Sequence, residues 1–263
     1  MITVHSMKQA LLWSIAGMIA IVLAMMIFLP ANWMAAVLES RSGGRLTLGD
    51  AQGTLWNGSA FIGGAYGRSD PVTPLLPGRF SWHVSPMVLL GMVDVKLENP
   101  EVLSQPVKLT GGWFRLQISP ASITMPAAGL SALGAPLNTI QPSGSMKLSW
   151  SPLQLARVNG AVDLTGSMQL DVYDAASRLS AVKPLGNYNL SIDWQGQTAS
   201  LLLRTDKGPL LLNGQGTMDQ RTFRFSGTAE AASGEDEKLG NFLNLLGPHR
   251  REGNRDIIAL EFR

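Results

Sequence analysis

His83 sits in the run Phe80, Ser81, Trp82, His83, Val84, Ser85. In an extended strand successive side chains alternate between faces, so His83 shares a face with Ser81 and Ser85, opposite Phe80, Trp82 and Val84. A serine hydroxyl beside an imidazole is the pair that nucleophilic catalysis uses. That chemistry also needs a third group to orient the imidazole and a strained turn of the G-x-S-x-G type to expose the nucleophile. The sequence offers neither, and the pair reads as solvated polar surface. His5 and His249, the other two histidines, stand far away along the chain.

Other chemistry-bearing residues are equally sparse. Glu235, Asp236 and Glu237 form the densest acidic run. As metal ligands they lack convergent partners, whereas in the first turn of a helix they favour the positive end of its dipole. Gly63-Gly64 and Gly111-Gly112 are not followed by the Lys-Ser/Thr and helix of a phosphate loop. Arg250-Arg251 is too short for a nucleic-acid stripe. With no cysteine there is no disulfide, no thiolate metal site and no thiol nucleophile. No catalytic, cofactor-binding or metal-binding residue is expected, and no small-molecule substrate or nucleic-acid partner. An envelope hydrolase would have to work through His83, and nothing around it supports one.

The elements that carry these residues follow from composition and periodicity. Of 263 residues, 45% are hydrophobic and only 15% charged, with 28 Gly and 15 Pro. So much apolar surface demands burial, which excludes a disordered chain. A formal net charge of +2 is a thin margin in a charge-poor protein, not a basic surface built for phosphates.

Residues 9–38 contain no Lys, Arg, Asp or Glu. Residues 11–29 within them are nearly all apolar and as a helix would reach roughly 28 Å, close to the thickness of a bilayer's hydrocarbon core. A buried core helix would be shorter or amphipathic. A cleaved signal peptide would want a shorter apolar run and a small-x-small cleavage site, which residues 24–38 lack. An uncleaved membrane anchor is expected, stopped by Pro30 and followed by Trp33 at the interface. Lys8 lies on one side of it and Arg41 and Arg45 on the other, so charge counting leaves its orientation open.

Beyond the anchor, residues 31–42 have helical spacing, closed by Gly43-Gly44. The period then changes from 3.6 to 2. Val93, Val95 and Leu97 alternate with Asp94, Lys96 and Glu98; Met168, Leu170 and Val172 with Gln169, Asp171 and Tyr173; Phe223 and Phe225 flank Arg224; and Ile258, Leu260 and Phe262 surround Glu261. Such alternation marks antiparallel strands with one wet face. Asn213-Gly214 and Ser143-Gly144 read as the punctuation between strands. The uneven strand lengths point to a curved open sheet and away from a closed barrel.

A weak echo links Phe80-Ser81-Trp82 with Pro86 to Leu148-Ser149-Trp150 with Pro152, and a third, Ile192-Asp193-Trp194, lacks the proline. It reads either as two related halves of one sheet, joined by an irregular lobe over residues 126–142, or as chance similarity among β-strands. Late in the chain Leu239, Phe242, Leu243 and Leu246 follow helical spacing, with Ser233 and Asp236 as a capping pair and Gly247-Pro248 as the stop. This helix would plug one end of the sheet or dock on a partner. In the segment from Gly53 to Ala60, alternation sets Trp56, Gly58, Ala60 and Ile62 on one side, where the small residues leave room beside the Trp56 indole. Trp56, Gly58, Ala60, Trp82, Trp150, Phe242 and Phe262 are therefore the candidate packing or partner surface.

The ordered set of these features resembles a known family. It comprises Pro30-Ala31-Asn32-Trp33, Ser42-Gly43-Gly44-Arg45-Leu46, Gly53-Thr54-Leu55-Trp56-Asn57-Gly58-Ser59-Ala60 and the Trp-Ser-Pro strand ends. Leu133-Gly134-Ala135-Pro136-Leu137-Asn138-Thr139 and Leu245-Leu246-Gly247 complete it. Together they are similar to general secretion pathway protein N of the type II secretion system. The resemblance implies a mainly β protein of the Gram-negative inner membrane, with a short cytoplasmic tail (residues 1–10), a transmembrane anchor (11–29) and a periplasmic β-rich domain (30–263, with halves 43–125 and 143–263). It implies a non-enzymatic component of the machine that exports folded proteins across the outer membrane. Its partners would be other secretion components and, through the anchor, membrane lipid, with free sheet edges near Arg45-Leu46-Thr47-Leu48 or at the carboxy-terminal strand to receive a partner strand. More distantly the chain is similar to AsmA-like envelope proteins, whose curved sheets offer apolar grooves to lipid.

Overall fold

The computed structural model describes residues 13–18, 20, 25, 27–43, 46–64, 73–133, 137–158, 160–219, 222–247, 249–252 and 255–262. The expected tail, much of the expected anchor, His5, Lys8 and Arg45 lie outside these residues. Among the described residues no helix is long and apolar enough to cross a membrane. Residues 13–18 are helical, with Trp13 and Met18 open on the surface.

Helix α1 (Asn32–Arg41) leads into the β body. Its strands are β1 (Leu46–Gly53), β2 (Asn57–Gly64), β3 (Thr73–Pro74), β4 (Phe80–Val84), β5 (Met92–Glu98), β6 (Val107–Gly112), β7 (Arg115–Ile118) and β8 (Ala121–Pro126). A 3-10 segment (Ala127–Leu133) and the short α2 (Leu137–Ile140) form the expected irregular lobe. Then come β9 (Pro142–Trp150), β10 (Leu153–Val158), β11 (Ala161–Ser177), β12 (Gly186–Gly196), β13 (Thr198–Lys207), β14 (Leu210–Met218) and β15 (Phe223–Ala231). Helix α3 (Asp236–Leu246), β16 (His249–Glu252) and β17 (Arg255–Phe262) end the chain.

Among the described residues every strand pairing is antiparallel, and nearly every strand lies beside its neighbour in sequence, as short Gly-rich connections require. Strands β7–β8 and β9–β10 form one long hairpin broken on both arms by proline. Ser119-Pro120 separates β7 from β8, and Ser151-Pro152 separates β9 from β10. Proline has no N–H for the ladder, so pairing lapses there. The register survives the lapse: Ile118 faces Leu153 before it and Ala121 faces Trp150 after it. The long β11 then spans both pieces, pairing with β10 through residues 161–165 and with β9 through residues 168–177. Strand lengths run from 2 residues in β3 to 17 in β11. Among the described residues no pairing joins β1 to β16 or β17, so the sheet is open.

Registers sort the side chains onto two faces. One row across the sheet reads Ala121, Trp150, Met168, Ile192, Leu201, Gly216, Phe225, Phe262. The next row, on the opposite face, reads Ser122, Ser149, Gln169, Ser191, Leu202, Gln215, Ser226, Glu261. The first face holds the core in three clusters. Ala31, Ala60 and Trp82 pack under α1 with Met34 and Leu48. Phe80, Val107 and Ala121 pack beneath Val102 and Leu103 of the segment after β5. Leu185, Leu210, Ala229 and Ile258 pack under Leu239, Phe242 and Leu243 of α3.

Three local expectations are corrected. Asn213-Gly214 and Ser143-Gly144 are not turns but lie inside β14 and β9. Glycine is needed there for close approach: a Cβ on Gly214 would stand 2.5 Å from Phe225 Cζ, and one on Gly144 2.5 Å from the Tyr173 carbonyl oxygen. Ser233 does not cap α3. The cap position is Glu235, which makes no side-chain cap bond and instead pairs with Lys238 at 3.0 Å. Among the described residues the carboxy-terminal strand is not a bare edge along its whole length, because β16 folds back over residues 255–258 on the side away from β15.

Candidate functional site

On the polar face, His83 is exposed and its Nδ1 hydrogen-bonds the side chain of Asn57 on β2. Neither serine beside it serves it. Ser81 Oγ donates to the Glu98 carbonyl at 3.5 Å, and Ser85 Oγ accepts from the Met87 N–H at 3.3 Å, starting the 3-10 turn Pro86–Leu90. Among the described residues no cluster of His, Asp and Glu is arranged to hold a metal ion. Asp50 and Arg79 form an ion pair at the sheet's corner, with the guanidinium 4.5 Å over the Phe61 ring. The Gln52 amide and then Arg79 hold the Asp50 carboxyl below the usual carboxylate range. These are structural contacts on the rim of the sheet.

On the apolar face the seven candidates fall into four places. Trp56, Ala60 and Trp82 are buried, and Gly58 lies between them on β2. The room left by Gly58 is filled by Trp82 from β4: a Cβ there would stand 2.4 Å from Trp82 Cζ2. The Trp82 Nε1–H donates to the Leu55 carbonyl at 3.1 Å. This corner also receives the chain from its apolar N-terminal run, since the Leu55 N–H donates to the Leu29 carbonyl at 2.8 Å and the Ala31 N–H to the Gly53 carbonyl at 3.1 Å.

Trp150 is half-buried in mid-sheet, and its Nε1–H donates to the Ser119 carbonyl at 2.9 Å, at the proline break. Trp194, two strands on, is also half-buried; its Nε1 is enclosed with no hydrogen-bond partner. Phe242 is buried in the α3 lid. Phe262 is half-exposed and lies 6.2 Å from Phe225 and 6.5 Å from Phe223 between ring centres. A cavity of about 920 Å³ opens beside this trio, lined on the apolar face by Leu201, Gly216, Phe225 and Phe262. Behind the α3 lid, the Tyr188 hydroxyl donates to the Leu210 carbonyl at 3.0 Å, and burial pushes its phenol well above the usual range.

The structure thus brings Trp56, Gly58, Ala60 and Trp82 together and leaves Trp150, Phe242 and Phe262 apart. Between the α1 and α3 lids the apolar face is covered only in part: Leu148, Trp150, Met168, Leu170, Leu190, Ile192 and Trp194 are all half-buried. No groups converge there for bond-making, and what the face can offer is apolar contact. Sequence reasoning passed over the exposed pair Trp113 and Phe114 at the β6–β7 turn. The available signal was two aromatic residues where a hairpin turn favours Gly, Asn or Asp.

The family model for the type II secretion system (T2SS), protein N, matches residues 44–257. No curated protein and no solved structure matches the chain.

Proposed function

The chain belongs to the type II secretion system protein N family, and from that premise we propose that it is a non-enzymatic, membrane-anchored interaction module of the secretion machine. In this reading residues 11–29 cross the inner membrane, residues 1–10 lie in the cytoplasm, and residues 30–263 work in the periplasm, as related halves 43–125 and 143–263 of one sheet. The absence of charge from residues 9–38 supports the anchor. The observation that carries the module is the open sheet, in which, among the described residues, β1 pairs with no strand but β2, since a strand at the edge of a sheet can accept a partner strand through main-chain hydrogen bonds. Photo-crosslinkers placed in cells at Thr47 and Phe262 should capture other secretion components. No adduct from either position, with normal secretion after deletion of the gene, would remove the reading.

A second reading follows from the partly covered apolar face between the lids. There the sheet would hold a lipid tail, as a groove of AsmA-like type. Native mass spectrometry of the full chain released from detergent separates the two readings: a retained phospholipid supports the groove, and a bare mass removes it.

A further inference from the structure

We propose that the sheet carries its own membrane-docking rim, formed by the 3-10 turn after β4 and the β6–β7 hairpin tip, which seats the body on the lipid surface beside the anchor. The rim consists of Met87, Leu89, Leu90, Met92, Trp113 and Phe114, exposed by 49–76%. Apolar residues of this size at the tips of turns are costly in water, and a contiguous group of them marks an interaction site. They form one patch because Met92 pairs with Gly112, and Gly91 lies against the Trp113 indole, where a Cβ would stand 2.9 Å from Cδ1. The nearly wholly apolar hollow between them is lined by Gly91, Gly112, Trp113, Phe114 and Arg115.

The position of the rim names its occupant. The apolar N-terminal run meets the body where Leu55 binds Leu29, in the β1–β2 turn. Val84, the last residue of β4, bonds the Trp56 carbonyl of that same turn at 2.7 Å, and the 3-10 turn begins two residues later. Anchor exit and rim therefore share one end of adjacent strands, with the 3-10 turn about 10 Å away at two strand spacings and the hairpin tip about 19 Å away at four. Exposed Trp settles at the headgroup level, and exposed Phe and Leu sink into the headgroup and acyl boundary. Arg115 and Arg157, both exposed, follow the hairpin tip and can reach lipid phosphates while their stems lie along apolar surface. The Arg157 N–H bonds the Phe114 carbonyl at 2.8 Å, tying that strand to the tip. The proposal rests on the anchoring reading for its direction and adds a second, independent contact with the same membrane.

The 263 residues contain no cysteine, so single cysteines can be introduced into this chain without background. The variants Leu90→Cys and Phe114→Cys, spin-labelled in nanodiscs of phosphatidylethanolamine and phosphatidylglycerol, report depth through collisions with oxygen and with a water-soluble nickel reagent. Met25→Cys marks the anchor and Asp206→Cys the opposite end of the strands. Labels at 90 and 114 are expected about 5–10 Å into the headgroup and acyl boundary, and the label at 206 in water. Labels at 90 and 114 as water-exposed as 206, or shielded from both reagents by protein, overturn the rim. With 25 in lipid, that result leaves the anchoring reading standing. A label at 25 in water with 90 and 114 in lipid removes the anchor and keeps the rim. Circular dichroism of each variant, and Phe114→Glu in the Leu90→Cys background, guard against misfolding: the added charge should lift the label at 90 towards water with the β spectrum unchanged.

Discussion

Gly58 is where one methyl group tests the reasoning most sharply. A Cβ added there would lie 2.4 Å from Trp82 Cζ2, 2.7 Å from Trp82 Cε2 and 2.7 Å from the Thr54 carbonyl oxygen. None of these distances is tolerable, so the indole must move or β2 must shift from β4. Overpacking of this kind costs about 1–3 kcal/mol. Moving the indole also breaks its 3.1 Å bond to Leu55 and strands a buried donor, which adds about 1–3 kcal/mol. Gly58→Ala should therefore destabilise the protein by about 2–6 kcal/mol, read as a fall in the urea midpoint at unchanged m-value. Hydrogen exchange should rise first in β2 and β4, because the damage starts at their pairing. The cost should be coupled to the indole. In a Trp82→Leu background, Gly58→Ala should lose at least ~1 kcal/mol of its effect, leaving the part due to Thr54. A change within about 0.5 kcal/mol of wild type, or the same cost with and without Trp82, would show that Gly58 is not kept small by the indole.

Gly240 predicts the opposite sign: it lies within α3 with nothing near its Cβ position, so Gly240→Ala should raise stability by about 0.5–1 kcal/mol in the same titration. Leu239 is fully enclosed beneath that helix, and Leu239→Ala should cost about 2–5 kcal/mol, with the α3 amides losing protection before those of β4. Tyr188 sets an alkaline limit. Its folded phenol is raised, so below the unfolded value of about 10 its contribution is fully present, and above that pH the unfolded chain sheds the proton first and stability falls. Tyr188→Phe should flatten that alkaline decline while lowering stability at neutral pH by about 1–2 kcal/mol, since the Leu210 carbonyl loses its donor. An unchanged alkaline slope in the variant would assign the decline to other groups.

The meander and its lids make the protein's two surfaces unlike in what they can do. The polar face spends its hydroxyls and amides on local bonds, such as Ser167 Oγ to Ser151 Oγ at 3.1 Å and Asn189 to Asp171 at 2.6 Å. The apolar face is sealed at both ends by helices and left half-open in the middle. α1 lies where the N-terminal run enters and α3 at the far side, so each covers one of the sheet's terminal strand groups.

Period-2 alternation was legible from the chain alone because it is local: Val93 to Glu98, Met168 to Tyr173 and Ile258 to Phe262 each declare which side is wet without reference to any other strand. So was α3, whose apolar stripe needs only its own 3.6-residue turn. The family could also be read from residue types and their order, being recovered over residues 44–257. What a residue meets across the sheet was not legible. Gly58 is small because of Trp82, Gly214 because of Phe225, and Gly144 because of the Tyr173 backbone. Each of these depends on register between strands far apart in sequence, so a glycine that locally looks like a turn is a place for a neighbour to approach. The same non-local pairing hid half of the final strand behind β16 and gathered the rim from two separate turns. Hydrophobic periodicity settles which face of a strand is buried; only the assembled ladder decides what it is buried against.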